Sequence, residues 1–242
     1  MSSNDVSVVL VHGAWADGSS WSKIIKLLAT DGFEVSAPPL PLTSFQDDVA
    51  ALERALERGS GPIVLAGHAY AGAVIAATRS EKVRALVYVA ALAPDEGETV
   101  ADVFYRGEPH PQAPKLAPDN HGLIYLPDAA FAAAFAQNAA AEDLAVLAAV
   151  QRPISPACIT VPVPRPLWKD RPTCLVEGPP DLVPRGRAGS HDRPGQSALH
   201  GRAHAGPGAF PCRRSRADRH RADRRLGRAA RGDLCSPDRR AA

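Results

Sequence analysis

Residues 63–72 contain the feature that most constrains the fold of this chain, an apolar run that ends in a turn flanked by two glycines. The run Ile63–Ala66 is followed directly by the segment GHAYAG, which covers residues 67–72. Small residues on both sides of the central position permit a tight turn from a strand into a helix that packs closely. A serine at the centre of such a turn is an exposed nucleophile. Ala69 occupies that position, so its side chain excludes acyl-enzyme chemistry there.

Apolar runs and amphipathic segments alternate over the first 92 residues. Runs that are apolar throughout are typical of strands buried on both faces. Strands that alternate with helices require parallel pairing and right-handed crossovers, which predicts a doubly wound, mostly parallel α/β sheet. Ser20 is expected to cap the first helix, and Ser44 with Asp47 is expected to open the second. The predicted elements are strands Val6–Val11, Phe33–Ala37, Ile63–Ala66 and Val83–Leu92, and helices over 21–31, 45–57 and 73–78.

Three motifs occur in an order and spacing that point to one family: VLVHGAW at 9–15, GHAYAG at 67–72 and VYVAALAPD at 87–95. Together they resemble the α/β-hydrolase superfamily, and within it bacterial relatives of the plant methylesterase and hydroxynitrile-lyase group. The resemblance covers residues 6 to about 170. It implies the α/β-hydrolase fold, an esterase-like hydrolase and a small ester-like or apolar ligand. Because Ala69 replaces the family's nucleophilic serine, we expect catalysis to be impaired.

The resemblance also implies an oxyanion hole made of two backbone N–H groups. These belong to the residue after the nucleophile and to the loop after the first strand, which here are Tyr70 and Ala14, with Gly13 and His12 in the same loop. Backbone donors do not depend on side chains, so the hole is expected to persist. We interpret His12 as organising this loop rather than acting as a base. The side chains of Tyr70 and Trp15 either line a pocket or pack beside the turn.

Residues 99–165 are expected to form a helical cap inserted over the carboxyl edge of the sheet. Prolines mark an irregular start, and the residues that follow predict helices over 129–137 and 142–150, with Phe131 and Phe135 on one face. A cap of this kind shapes an apolar cavity for an acyl or aromatic ligand. The alternative is that its apolar side chains are simply buried against the sheet.

The composition changes after about residue 170. From Arg171 onward the chain has sixteen arginines, seven acidic residues, eight prolines and nine glycines, with no lysine and Phe210 as its one aromatic residue. Only eight of these 72 residues are large and apolar. This composition predicts that the segment does not supply the last strands and helices of the sheet. We therefore expect a core over residues 1–170, followed by a segment, 171–242, that is disordered or read out of frame.

Two explanations account for this basic segment: an arm for nucleic acid, or an out-of-frame reading of a GC-rich gene. Synonymous codons for residues 179–186 exist whose reading, shifted by one base, is Arg-Pro-Thr-Trp-Phe-Leu-Val-Ala. That string repeats the residues at 171–173 and continues as a buried strand. The same register converts residues 190–193 to Arg-Met-Ile and residues 210–213 to Ser-His-Ala, a candidate histidine loop. Three hydrolase-like pieces in one register favour the out-of-frame explanation over nucleic-acid binding.

A catalytic triad would also need an acid and a histidine. Residues 178–184 resemble the G-x-x-D-x-x-P turn that often carries the acid in this superfamily, which makes Asp181 the candidate, although the out-of-frame reading makes the match accidental. Asp95 is the alternative acid, with a loop-capping role favoured. His68 is expected to point away from the pocket, and no histidine after residue 190 has a framing strand. Two alternatives to an impaired esterase stay open: a non-catalytic small-molecule binder, and lyase-type acid–base chemistry without an acyl-enzyme.

Other classes of protein are not supported by the sequence. The four cysteines lack metal or redox spacing, and there is no glycine-rich phosphate loop, so neither a metal nor another cofactor is expected. No signal peptide and no apolar run of membrane-spanning length are recognised. These features together predict a reduced, cytoplasmic protein.

Overall fold

A parallel five-stranded sheet forms the centre of the protein, in a computed structural model that describes residues 6–107 and 114–176. The strand order is β2-β1-β3-β4-β5, and each neighbouring pair is parallel. This confirms the predicted doubly wound parallel sheet. The strands are β1 (Ser7–Val11), β2 (Glu34–Ser36), β3 (Ile63–His68), β4 (Val83–Val89) and β5 (Thr173–Val176).

Helices cover both faces of the sheet, which is why the runs 8–11 of β1 and 63–66 of β3 are apolar throughout. Val9 and Val11 of β1 pack in the larger hydrophobic cluster, whereas Val8 and Leu10 point to the opposite face and pack with Trp21. Alternate residues of a strand lie on opposite faces, so one continuous apolar run serves two layers. The helices that follow the first three strands are α1 (Ser22–Thr30), α2 (Phe45–Arg58) and α3 (Ala71–Ala77).

The predicted helix starts are partly confirmed. Ser44 caps α2 by accepting a hydrogen bond from the Asp47 backbone N–H at 3.1 Å. The Asp47 carboxylate accepts from the Thr43 hydroxyl, so no reciprocal box is completed there. The expected cap at Ser20 is wrong: a single 3-10 turn, Gly18–Trp21, precedes α1, and Asp17 caps that turn.

The sheet extends past residue 170. Strand β5 pairs in parallel with β4, with Thr173 opposite Leu86 and Val176 opposite Val89. The expectation that nothing after Arg171 joins the sheet is therefore wrong for this strand. Strand β5 has only four residues, which are too few for their composition to mark them as a strand.

The described residues of the segment inserted between β4 and β5 include three further α-helices, α4 (Val100–Phe104), α5 (Asp128–Phe135) and α6 (Ala141–Ala149). Phe131 and Phe135 stack within it as predicted, with ring centroids 4.9 Å apart. Two isolated antiparallel bridges close the insertion, Thr99 with Pro162 and Ile124 with Ile154. Among the described residues, no helix combines the length and apolarity that a membrane crossing requires.

Candidate functional site

The candidate site lies where the strand order reverses. The chain continues from β1 to β2 on one side and later places β3 on the other side of β1. Val11 pairs with Gly67, so the carboxyl ends of β1 and β3 lie side by side. In open α/β sheets, ligands bind in the crevice outside the strand ends at such a switch point. The two loops that begin there contain Gly13 and Ala69.

The turn between β3 and α3 has the strained geometry that its glycines predict. Ala69 has φ 49°, in the left-handed region, and is half-buried. Its carbonyl oxygen accepts hydrogen bonds from Gly72 N–H at 3.1 Å and Leu92 N–H at 3.0 Å. A Cβ at Gly72 would lie 2.3 Å from the Leu92 carbonyl oxygen, and one at Gly67 would lie 2.9 Å from that of Ala71. The turn therefore persists with an alanine at its centre.

The loop after β1 packs directly against Ala69. A Cβ on Gly13 would lie 2.9 Å from the His68 carbonyl oxygen and 3.1 Å from the Ala69 Cβ. The backbone N–H groups of Ala14 and Tyr70 find no acceptor among the residues that the structure describes. Two unengaged donors on adjoining loops are what the predicted oxyanion hole requires. Their role toward a ligand stays a prediction.

His12 is fully buried and links two loops. Its Nε2 accepts a hydrogen bond from Leu40 N–H at 2.9 Å, and its Nδ1 lies 2.9 Å from the Gly13 carbonyl oxygen. This pairing assigns the proton to Nδ1 and leaves the imidazole neutral. Burial lowers the pKa of His12, although the bond to Gly13 opposes that shift. With both nitrogens engaged, the ring has no free nitrogen for a ligand, in keeping with an organising role.

His68, the last residue of β3, packs toward the face of the sheet that carries α1. Its ring meets Trp21 edge to face, with centroids 6.3 Å apart. Burial lowers the pKa of His68 as well. His12 has both ring nitrogens engaged, whereas His68 Nδ1 would lie 3.5 Å from a Cβ on Gly13 and has no hydrogen-bond partner among the described residues. His121 is exposed on a turn of the cap.

A buried polar cluster beside the turn was missed by the sequence analysis. The Tyr70 hydroxyl donates to the Asp48 carboxylate at 2.7 Å, and Leu42 N–H donates to the other carboxylate oxygen at 2.7 Å. Asp48 is fully buried, and burial raises its pKa despite these two bonds. Burial likewise raises the pKa of the neighbouring Cys158 thiol to about 12. Tyr70 therefore packs beside the turn and directs its hydroxyl into the core.

The segment inserted between β4 and β5, called the cap below, forms hydrogen bonds with the loops of the candidate site. Trp15 Nε1 donates to the Ile124 carbonyl oxygen at 3.0 Å, and Ser155 N–H donates to the Leu42 carbonyl oxygen at 2.9 Å. Ile124 and Ile154 exchange two backbone hydrogen bonds of 2.9 and 3.1 Å. A cavity of about 290 Å³ lies in this region. It is lined by Pro41, Leu42, Thr43, Leu123, Gln151, Arg152 and Pro153.

The two candidate acids have different outcomes. Asp95 forms an ion pair with Lys169 at the surface, and its carboxylate accepts from Glu96 N–H. The bond to Lys169 holds the pKa of Asp95 below its usual value. Asp95 therefore caps a loop, as its position after β4 favours. Asp181 lies outside the described residues. Within 6–107 and 114–176, no group of three or more His, Cys, Asp or Glu side chains is arranged to hold a metal.

Comparison with known proteins gives a family match over most of the chain. Residues 8–234 match the model of the alpha/beta hydrolase family. The match extends past residue 170, where we expected the resemblance to end. Among curated proteins, the chain is similar to a pyrethroid hydrolase of Sphingobium wenxiniae, with 27% identity over 121 residues. That alignment covers 44% of this chain and 43% of the relative, which is less than half of its length.

Solved structures of esterase-like proteins share the fold. One is a histidine-to-alanine variant of tomato methylketone synthase I, complexed with beta-ketoheptanoate, with a TM-score of 0.61 at 19% identity. The alignment covers 71% of this chain and 78% of the synthase chain. A variant of polyneuridine aldehyde esterase has a TM-score of 0.60 at 18% identity, covering 71% and 80%. A serine-to-alanine variant of a pyrethroid hydrolase has a TM-score of 0.58 at 20% identity, covering 72% and 88%.

Proposed function

We propose that this chain, which belongs to the alpha/beta hydrolase family, binds a small ester-like or apolar ligand at the carboxyl edge of its sheet without completing acyl transfer. The observation that carries the proposal is Ala69. It stands at the strained centre of an intact strand-to-helix turn, with φ 49°, and offers no nucleophile.

The oxyanion hole is the part of the site that we expect to act on such a ligand. Ala14 N–H and Tyr70 N–H would donate to a carbonyl oxygen, while Gly13 keeps the first loop against the turn. Preorganised donors of this kind stabilise charge without any contribution from the nucleophile. They therefore support binding of a carbonyl-containing ligand in a protein that does not form an acyl-enzyme.

Lyase-type acid–base chemistry is not favoured by the described residues. It requires a histidine that is positioned in the site with a free ring nitrogen. His12 is engaged through both nitrogens, and the His68 ring packs edge to face against Trp21 with no acid bonded to it among the described residues. Ester-like ligand binding is thus the function that the site supports best.

Two assays on the full chain test the proposal. Hydrolysis of p-nitrophenyl acetate should stay near background, because loss of the nucleophile in triad enzymes costs about a million-fold in rate. Small esters such as methyl benzoate should nevertheless raise the melting temperature, since a ligand that binds only the folded state stabilises it. Turnover with a burst of p-nitrophenol would refute the first part, and no stabilisation by saturating ester would refute the second.

We further propose that residues 177–242 are the out-of-frame product of a gene whose original frame encoded the remaining hydrolase elements. Support comes from the arginine-rich composition and from the three hydrolase-like pieces in one shifted register. The family match that runs to residue 234 is the observation against it. The nucleotide sequence across codons 165–242 tests the proposal: a shifted frame should continue the family pattern, and a shifted frame interrupted by stop codons would refute it.

The cytoplasmic location also stays a prediction. In the described part of the chain Cys158 is a free, buried thiol, which is the state that a reducing compartment favours. Thiol titration of protein isolated from its source cells tests the location. Full thiol reactivity after denaturation without reductant would support a cytoplasmic setting, and a shortfall of two thiols would contradict it.

A further inference from the structure

We propose that the cavity between the loop 41–43 and the cap binds the carboxylate group of a small organic acid, with Arg152 as its charged anchor. The proposal rests on the proposed function and deepens it by naming the ligand class. It requires three things of the structure: a cation without a partner among the described residues, walls that suit an apolar body, and hydrogen bonds that join these walls to the loops of the candidate site.

The cation is Arg152, a half-buried residue that lines the cavity. Its Nε is buried and has no hydrogen-bond partner among the described residues, and none of the ion pairs found there includes its guanidinium. An arginine is charged at every physiological pH, and a buried donor without an acceptor is unfavourable. Planar carboxylates match the fork of guanidinium donors.

The other polar groups of the cavity are already engaged. The Gln151 side chain bonds to both the backbone N–H and the carbonyl oxygen of Leu126, at 2.6 and 3.2 Å. The Thr43 hydroxyl donates to Asp47, and the carboxylate oxygens of Asp48 accept from Leu42 and Tyr70. Arg152 is the one cationic side chain among the lining residues. The lining contains no acidic residue that could pair with its guanidinium.

The remaining walls suit an apolar ligand body. Pro41, Leu42, Leu123 and Pro153 contribute them, and a volume of about 290 Å³ is at the lower end of small-molecule sites. A single cation facing four apolar side chains fits a monocarboxylic acid with a short acyl chain or one aromatic ring. A dicarboxylate or a sugar phosphate would leave charges without partners in this cavity.

The cavity is held against the catalytic loops by hydrogen bonds. Ile124, next to Leu123 of the lining, accepts from Trp15 of the oxyanion loop, and Leu42 of the lining accepts from Ser155 of the cap. Arg152 is also near enough to His12 that its charge contributes to the lowered pKa of that histidine. An acid bound in this cavity would thus lie against segments that hydrogen bonds join to the loop after β1.

Isothermal titration of the full chain with three probes of similar shape tests the proposal: benzoate, methyl benzoate and benzamide. A charge-assisted pair is worth about 1.5–3 kcal/mol, so benzoate should bind at least tenfold more tightly than either neutral probe. Arg152→Gln should remove that preference by lowering benzoate affinity at least tenfold. Arg84→Gln, which removes an exposed arginine of β4, should change neither affinity.

The outcomes separate this proposal from the proposed function. Equal binding of benzoate and methyl benzoate by the unmodified chain would overturn the anion site alone, as would a benzoate affinity that survives in folded Arg152→Gln. Failure of all three probes to bind would overturn both proposals. If Arg152→Gln does not fold, Arg152→Lys keeps the charge without the paired donors and should lower benzoate affinity several-fold, and an unchanged affinity would count against the proposal.

Discussion

The turn at Ala69 and the cavity at Arg152 lie on neighbouring loops but are built in different ways. The turn is defined by backbone geometry, with glycines where a side chain would meet carbonyl oxygens within 2.3–2.9 Å. The cavity is defined by side chains: Arg152 with an unpaired Nε, and apolar walls. The turn is formed with an alanine at its centre because the hydrogen bonds described there join backbone groups.

This contrast explains how catalysis and binding can be separated in one fold. The left-handed conformation of Ala69 is strained for a residue with a Cβ, and packing of the surrounding strands and helix maintains it. Chemistry at the turn depends on a single hydroxyl, whereas ligand binding depends on many groups of the cap and loops. We therefore expect an alanine at residue 69 to prevent acyl transfer and to leave the pocket unchanged.

The largest effect on stability is expected at the turn, which is defined by its backbone geometry. Gly72→Ala would place a Cβ 2.3 Å from the Leu92 carbonyl oxygen, so α3 would have to shift away from the end of β4. We expect a loss of about 3 kcal/mol or more in the free energy of unfolding, measured with urea. Gly107→Ala, where no atom lies within 4 Å, is the matched control. Equal stabilities of the two variants would show that the turn is less tightly packed than described.

The buried cluster that joins the turn to the cap gives the next largest effect. Asp48→Leu leaves the Leu42 N–H and the Tyr70 hydroxyl without acceptors, which should cost about 2 kcal/mol or more. Asp48→Asn keeps an acceptor and avoids the burial of charge, so it should cost less than about 1 kcal/mol. Urea unfolding at neutral pH measures both. An Asn variant as unstable as the Leu variant would mean that the negative charge itself is needed.

The sequence predicts the backbone part of the site better than the side-chain part. Ala69 and its glycines are recognisable because a tight turn needs small residues at fixed spacing. Asp48 carried one usable signal, since it lies four and eight residues before Leu52 and Leu56 on the buried face of α2. No sequence pattern around Arg152 indicates a binding residue. The cavity that it lines is completed by residues 41–43, which are distant in the sequence. Strand β5 is short, and only its pairing with β4 identifies it.

A smaller effect is expected from the pH dependence of His12. Burial lowers its pKa, so below pH 6.5 the unfolded chain binds a proton that the folded chain rejects, and stability falls as the pH falls. The loss approaches about 1.4 kcal/mol per pH unit for one such group. His12→Gln keeps a donor for Gly13 and an acceptor for Leu40, yet does not titrate. Between pH 7 and 5.5 the variant should lose about 1 kcal/mol less than the unmodified chain, and parallel profiles would exclude this role.

The smallest effect is expected at the outer edge of the cap. Lys23 of α1 and Asp143 of α6 form an ion pair at 2.7 Å, but 76% of the lysine side chain is exposed. Exposed pairs contribute less than about 1 kcal/mol, and salt screens them. Lys23→Ala should therefore change the free energy of unfolding by less than about 0.5 kcal/mol. A larger loss that disappears at high salt would show that the cap depends on surface charge as well as on its buried contacts.

Ester hydrolysis in four related proteins tests the central claim most directly, that the site keeps its scaffold and lacks its chemistry. The proteins are the present chain, Ala69→Ser, a frame-corrected chain, and the frame-corrected chain with Ala69→Ser, each first checked for folding by circular dichroism. A serine needs a histidine base and an acid, so only the last protein should hydrolyse p-nitrophenyl acetate well above background. Activity in Ala69→Ser with its present carboxyl-terminal segment would contradict the account, because it would show that Asp181 and a histidine of that segment already complete the triad.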